Sequence, residues 1–397
     1  MKVLLPAFHC SPWQGSELGV AWFWATSLAD IGHEVTVLTA EHLRADITAA
    51  GRTDITFHYV PHPKSWIERY GIHYSAYLRW QDAAYKYLAA LDGDFDIVHH
   101  VTWGSLHLGS RTWRLPAPLI YGPIGGGQTA PRQYKRYFGR NWPMEAFRTA
   151  ITGPMLKVNR RSKETIRNAE VVLVTNSDTG AAARRMGARD VRYMLAEGLP
   201  DEWLGDARPQ PSGVPLVLWV GRMLPRKAPA MTVEAFAELR KVGPARLVMA
   251  GDGPVMPQVR EAVARLGVAE DVDLLGRIPW ADVKRLYDTA SVLMFPSLRD
   301  SSGMQFLEAL GRGLPAVALD HHGIGDLDVG PAAIKVPVAR DPAELPGQLA
   351  AAMHEILTDG DWEQRSGAAV KWAAGHVWTA KAAAATEVYK DVVGRGR

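Results

Sequence analysis

The stretch Ser297–Gly311, SLRDSSGMQFLEALG, sets two carboxylates, Asp300 and Glu308, eight positions apart around a Ser301-Ser302-Gly303 turn. The apolar run before it, Ser291–Phe295, reads as a buried parallel strand, and Met304 to Leu310 read as the first turns of a helix. A helix opening leaves backbone N–H groups without intrahelical acceptors beside the positive end of the helix dipole. Gly303 has no Cβ, so phosphate or sugar can approach that backbone closely, with the amides of Gly303 and Met304 and the Ser302 hydroxyl at hand. Two carboxylates flanking an anion-binding turn suit a ligand that carries both phosphate and hydroxyls, such as a nucleotide sugar.

A second set of charges follows the run Leu216–Val220. In Gly221-Arg-Met-Leu-Pro-Arg-Lys227, Arg222 and Lys227 lie beyond a strand end. Arginine grips a diphosphate with a planar fork, lysine with a point charge, and together they offset charge that grows on a departing phosphate without calling on a metal. Arg226 is less constrained by this pattern. Further strand-and-turn units are Ala245–Pro254, ending Gly-Asp-Gly-Pro, and Asp273–Pro279, with Trp280–Ala290 as a short helix. Ala316–Leu319 is another strand. His321 and His322 beyond it lack the spacing of metal ligands, and no metal site is expected.

The first half repeats the same grammar. Lys2–Phe8 and Val35–Leu38 read as buried strands flanking a helix that carries Leu18, Ala21, Trp22, Ala25 and Leu28 on one face. The loop between them holds Gly15, Ser16 and Glu17, either a helix cap or a ligand loop. Gly15 and Gly19 do not have dinucleotide-fingerprint spacing, which argues against a nicotinamide-dependent oxidoreductase. Asp96–Trp103 is a strand with His99 near its end, a structural residue or a substrate contact. Leu119–Gly127 ends in a glycine turn containing Gly125 and Gly126, which either serves the turn alone or admits a ligand. Val171–Asn176 completes the set. Aromatic residues from Trp66 to Tyr87 recur at helical spacing and read as packing, with a stacking face as the alternative.

Length and composition bound the rest. A chain of 397 residues exceeds one ordinary core, so two domains are expected. A net charge of +3 argues against nucleic acid as a partner, and the single Cys10 permits neither an internal disulfide nor a cysteine-based zinc site. Pro6 breaks the apolar start Met1–Leu5, so a secretion signal is not expected and the cytoplasm is the expected compartment. Charge is concentrated in Arg132–Arg167, with ten basic residues against Glu145 and Glu164. This segment is either a solvated face or a peripheral contact with anionic lipid at the inner face of a membrane.

The carboxylate, seven residues, Glu308 and Ala-Leu-Gly-Arg-Gly-Leu-Pro-Ala-Val317 resemble the signature of the retaining nucleotide-sugar glycosyltransferases of family 4, the glycogen-synthase and mannosyltransferase-like group. Arg222 with Lys227, and Gly251-Asp-Gly-Pro254, are similar to two further motifs of that family. The resemblance spans nearly the whole chain. It implies two Rossmann-like α/β domains facing across a cleft, the glycosyltransferase B fold. Residues 1–204 would form the acceptor-side domain, 205–215 a Pro- and Gly-rich linker, and 216–375 the donor domain. Residues 376–397 would form a helix crossing back to the first domain.

The implied activity is metal-independent transfer of a hexose from a UDP or GDP sugar to a hydroxyl of a glycan, lipid-linked or small-molecule acceptor. The nucleotide sugar is a co-substrate, and no other cofactor is implied. Glu308 would bind the ribose, Asp300 the donor sugar, and Arg277 and Ile278 the base. Gly15 and Ser16 would lie near the donor phosphates, and Glu17, Gly125 and Gly126 on the acceptor side. His99 matches the first histidine of a family strand motif and would touch substrate. The chain departs from the family in carrying Asp300 where Glu is usual, Ala228 where Gly is common, and Tyr121-Gly122 where a histidine often contacts the sugar. The alternative is a non-catalytic nucleotide- or sugar-binding protein with the same shell.

Overall fold

In the computed structural model, which describes residues 1–13, 18–61, 74–91 and 93–395, every apolar run read above as a strand is one, and all pair in parallel. The strands are β1 (Lys2–Pro6), β2 (Glu34–Ala40), β3 (Thr56–Val60), β4 (Ile97–His100), β5 (Leu119–Ile124), β6 (Val171–Val174) and β7 (Val191–Tyr193) in one sheet. A second sheet holds β8 (Leu216–Val220), β9 (Arg246–Ala250), β10 (Val272–Gly276), β11 (Val292–Phe295), β12 (Ala316–Asp320) and β13 (Ala333–Pro337). β3 and β13, which no apolar run announces, are edge strands that are only partly buried.

The chain divides into two units. The first holds residues 1–127, 151–198 and those from Trp378 on, and its sheet runs β3-β2-β1-β4-β5-β6-β7. Side chains alternate strictly across this sheet. Val3, Leu5, Val35, Val37, Ile97, Ile120, Val171 and Leu173 pack on one face. Leu4, Leu38, Val98, Leu119, Tyr121, Val172 and Val174 pack on the other. A parallel sheet covered on both faces needs apolar residues at both parities, hence the unbroken apolar runs. The helix Tyr74–Ala89 puts Tyr77 and Trp80 fully into this core against Phe8, 5.5 and 5.2 Å away. Trp66 and Tyr70 of the aromatic run lie outside the described residues. The terminal helix Trp378–Arg395 packs on the helix Val20–Asp30, with Trp378 stacked on Phe23 at 5.4 Å.

The second unit holds 128–150 and 199–377, and its sheet runs β10-β9-β8-β11-β12-β13. Two of its boundaries differ from the sequence reading. The chain enters it at Leu199, and residues 205–208 are bolted down rather than free. The Gly205 amide donates to Gly311 O at 2.8 Å, and the Arg208 guanidinium donates to Tyr287 O and Ala290 O at 2.9 and 3.0 Å. The first part of the basic segment also belongs here, because Tyr134 donates to Ala339 O at 2.9 Å and Tyr137 to Glu234 at 2.6 Å.

Candidate active site

Within the second unit the strand order reverses between β8 and β11, so the loops leaving these two strands at their carboxyl ends splay apart and open a crevice. Beside it the ends of β8, β9 and β10 press backbone on backbone. A Cβ on Gly251, whose φ is 138°, would stand 1.8 Å from Gly221 O. The Gly251 amide donates to Gly276 O at 2.8 Å. With no side chains to fill it, a cavity of about 550 Å³ remains. Gly221, Arg222, Gly251, Asp252, Arg277 and Ile278 are among the residues lining it. Arg222 is exposed and makes no ion pair among the described residues, and Arg277 is exposed as well.

The loop that begins at Gly221 ends at Lys227, which is buried at 8% exposure. Its ammonium pairs with Asp300 and donates to Gln305 Oε1 at 3.1 Å. Asp300 also accepts from Ser297 Oγ at 3.2 Å and, through Oδ1, from its neighbour's amide, Ser301 N, at 3.1 Å. Burial pushes the Asp300 carboxyl up, but the charges of Lys227 and Arg226 outweigh it and hold the group below its usual range. Ser302 is buried beside it, and Gly303 caps the helix Met304–Gly311 in the left-handed region at φ 71°, where a Cβ would meet Ile324 and Phe295 at 2.9 and 3.1 Å. The first intrahelical amides that bond back belong to Phe306 and Leu307, both to Gly303 O, so the Met304 end presents the helix's free amide pole.

Glu308 projects from that helix into an aromatic pocket. Tyr287 donates to Oε2 at 2.9 Å, and the Trp280 indole N–H to Oε1 at 3.3 Å. Trp280 stacks on Trp203 at 4.3 Å, and the Trp203 indole N–H donates to Glu308 O at 2.9 Å. Burial drives the carboxyl up to about 7, against the pull of these two donors and of Lys227. Trp203, Trp280 and Tyr287 were not singled out in the sequence. The 3.6-residue spacing of Trp280, Val283 and Tyr287 was the available signal for one face of that helix.

The structure therefore gathers Arg222, Arg277 and Ile278 at one cavity, and Lys227, Asp300, Ser302, Gly303, Met304 and Glu308 around one helix start. His99 belongs to neither. It is fully buried in the first unit, with Nδ1 2.6 Å from Tyr389 OH and Nε2 2.8 Å from Gly122 O. Both ring nitrogens are committed to the core, and burial lowers its pKa to about 4, so the expectation that it touches substrate is corrected to a structural role. Gly125 and Gly126 are partly exposed; the Gly125 amide donates to Gly104 O at 3.0 Å, and His107 Nε2 stands 3.1 Å from Gly126 O. Gly15, Ser16 and Glu17 lie outside the described residues. Among the described residues no three His, Cys, Asp or Glu side chains gather as metal ligands do, and no helix is long and apolar enough to cross a membrane.

Residues 214–359, which lie in the second unit, match the family described as Glycosyl transferases group 1. The chain is 27% identical over 331 residues to the D-inositol 3-phosphate glycosyltransferase of Streptomyces bingchenggensis, covering 76% of this chain and 68% of that protein. The chain spans 38% of the alpha-D-kanosaminyltransferase of Streptomyces kanamyceticus, at 29% identity over 38% of this chain, so it covers less than half of that relative's length. Among solved structures, sucrose-phosphate synthase from Thermosynechococcus elongatus superposes with a TM-score of 0.69 over 99% of both chains at 18% identity. HepE from Anabaena in complex with UDP superposes with a TM-score of 0.62 over 98% of this chain and 100% of that one, at 14% identity. The fold is thus the two-sheet, Rossmann-like architecture of the B-fold glycosyltransferases.

Proposed function

We propose that this protein is a retaining glycosyltransferase of family 4 that moves a hexose from a nucleoside diphosphate to a hydroxyl of a glycan, lipid-linked or small-molecule acceptor. The observation that carries the reading is the exposed, unpaired Arg222 at the rim of a glycine-walled cavity. A protein that bound sugar alone would have no use for such a cation, which disfavours the sugar-binding form of the non-catalytic alternative. The base lies against Arg277 and Ile278, and Glu308 accepts from the ribose hydroxyls. The diphosphate spans Arg222, Lys227 and the amides at Gly303 and Met304.

Asp300 orients a hydroxyl of the donor sugar and favours positive charge at the anomeric carbon. As the bond from that carbon to the phosphate oxygen breaks, the leaving diphosphate gains charge, which the two cations and the helix pole offset without a metal. The acceptor hydroxyl attacks from the face of departure and passes its proton to the leaving phosphate oxygen, so no separate base is required. Because Lys227 and Asp300 pair with each other, a donor held by both must share or open that pair.

A lipid-linked acceptor would bring the enzyme to a membrane surface. Met144 and Phe147, in the 128–150 segment, are solvent-exposed apolar side chains within the basic segment and support that contact.

The test uses water as acceptor, so the natural one need not be known. Slow release of nucleoside diphosphate from UDP-, GDP- or ADP-glucose is expected for one donor, and Arg222→Ala should reduce it at least about a hundredfold. Equal release by both proteins would refute the assignment.

A further inference from the structure

Arg299 directly precedes Asp300, and its guanidinium grips Glu145 from the 128–150 segment. Nε stands 2.9 Å from Oε1 and Nη2 3.1 Å from Oε2. Arg148 Nη2 shares Oε1 at 2.9 Å and donates to Gln128 O at 3.0 Å. On the other side, the Arg299 carbonyl accepts from Arg226 Nη1 at 3.1 Å. That nitrogen is 3.6 Å from Asp300 Oδ2, the oxygen that also holds Lys227. The result is one continuous run: Arg148, Glu145, Arg299, Arg226, Asp300, Lys227. All six residues belong to the second unit.

Two features set this run apart from a balanced structural network. Four cations face two carboxylates, an excess of two positive charges. The three guanidinium groups also differ from the carboxylates in depth, whereas Lys227, with 10% of its side chain exposed, lies as deep as they do. The Glu145 and Asp300 side chains are 8% and 15% exposed, whereas those of Arg148, Arg226 and Arg299 keep 32%, 30% and 24%. The carboxylates lie underneath and the guanidinium groups reach the surface. The crowding is felt by Arg299, whose pKa falls to about 10, first from burial and then from Arg148 and Arg226, although Glu145 opposes the shift. Half-desolvated surplus charge is unfavourable until an anion meets it, and planar guanidinium forks suit oxyanions.

We infer that Arg148, Arg226 and Arg299 form a receptor for an oxyanion, a phosphate or a carboxylate, that the substrates carry in addition to the donor diphosphate. Arg222, at the cavity, is not part of the run. The receptor stands on the cluster alone, whereas its assignment to a substrate group rests on the proposed transfer reaction. Two sources share this chemistry: a charged group on the acceptor, or a carboxylate on the donor sugar.

The experiment is a calorimetric titration of the full chain with inorganic phosphate, with and without saturating UDP. Wild type should bind phosphate even with UDP saturating the diphosphate site, and Arg222→Ala should retain a phosphate site in the absence of UDP. Arg226→Gln and Arg299→Gln should each weaken it at least about tenfold. Arg226→Gln carries the test if Arg299→Gln, which strips Glu145 of a partner, unfolds. Failure of wild type to bind phosphate up to about 50 mM overturns the inference. So does complete displacement of phosphate by UDP, or its complete loss in Arg222→Ala, since either makes the cluster part of the diphosphate site.

UDP-glucose and UDP-glucuronate then separate the sources. Tighter binding of UDP-glucuronate, abolished by Arg226→Gln and excluding phosphate, assigns the anion to the donor sugar. Equal binding of the two, with phosphate seated alongside, assigns it to the acceptor. Absence of any nucleotide binding would count against the donor assignment, while the phosphate titration would still decide the receptor.

Discussion

The two units share one strand order from their first to their sixth strand and differ in what occupies the strand ends. In the first unit β4 ends in His99 and His100, both buried, and β5 runs into glycines that press against neighbouring backbone. Tyr389 and Gly122 take up both ring nitrogens of His99, and Tyr77 takes up Nε2 of His100. In the second unit the ends of β8, β9 and β10, the counterparts of β1, β2 and β3, carry Gly221, Gly251 and Gly276, with Arg222 and Arg277 at their margins and a cavity beside them. A polar residue at the end of a parallel strand is therefore ambiguous until its hydrogen bonds are accounted for. When every polar atom has a partner inside the protein, the residue holds the core. When the strand end is bare and a charge beside it is unpaired, the place is ready for a ligand.

Substitutions can break this contrast, and the largest effect is expected at Lys227. Lys227→Ala strands Asp300 in a buried position, which costs about 3–5 kcal/mol of stability when a buried pair loses one member. It should also abolish donor binding. Urea denaturation beside Asp300→Asn separates the two effects, because removing the carboxylate charge leaves a lysine that can still reach Gln305. His99→Ala should cost about 3 kcal/mol by opening a cavity and leaving Tyr389 OH and Gly122 O without a partner. Transfer per folded molecule should stay unchanged, and a selective loss of turnover would return His99 to the chemistry.

Glu308 supplies the pH dependence. Its carboxyl binds a proton up to about pH 7 in the folded chain, against about 4.5 when unfolded. Between those values the native state holds more protons than the unfolded state, so stability falls as pH rises, by at most about 3 kcal/mol. Glu308→Gln should flatten that slope in melts recorded from pH 4.5 to 7.5. Ribose hydroxyls donate to the ionised form, so donor affinity should rise with pH through about 7, and a flat profile would remove Glu308 from the ribose site. The smallest effect is at Ala228, a non-glycine residue with φ 47° at the start of the helix Pro229–Arg240. Ala228→Gly relieves left-handed strain of about 1 kcal/mol but adds unfolded-state entropy, for a net gain of up to about 0.5 kcal/mol in a melt.

Much of this was readable beforehand, for physical reasons that also mark its limits. Runs such as Val171–Val174 and Val292–Phe295 are apolar at every position because their sheets are covered on both faces. Gly221, Arg222 and Lys227 follow a strand within seven residues, so local spacing reveals them. The Lys227–Asp300 pair is different, because it depends on β8 and β11 lying side by side although 73 residues separate the partners. Tyr287 and Trp280 reach Glu308 from another helix, and their aromatic character alone pointed to packing. The segment 128–150 carries its attachment in Tyr134, Tyr137 and Glu145, whose partners lie far along the chain, so its charge was visible but its unit was not. His99 stood at a strand end, and only Tyr389, near the far terminus, shows that its ring is spoken for.

The central claim is that the bare strand ends of the second unit receive a nucleoside diphosphate through Arg222. Thermal denaturation of wild type and Arg222→Ala with UDP, GDP, ADP, dTDP and CMP at saturating concentration tests it most directly, because a ligand that binds only the native state raises the melting temperature. One diphosphate should stabilise wild type selectively, and Arg222→Ala, with the same melting temperature in the absence of ligand, should lose that stabilisation. An equal shift in both proteins, or no shift with any nucleotide in folded wild type, would contradict it.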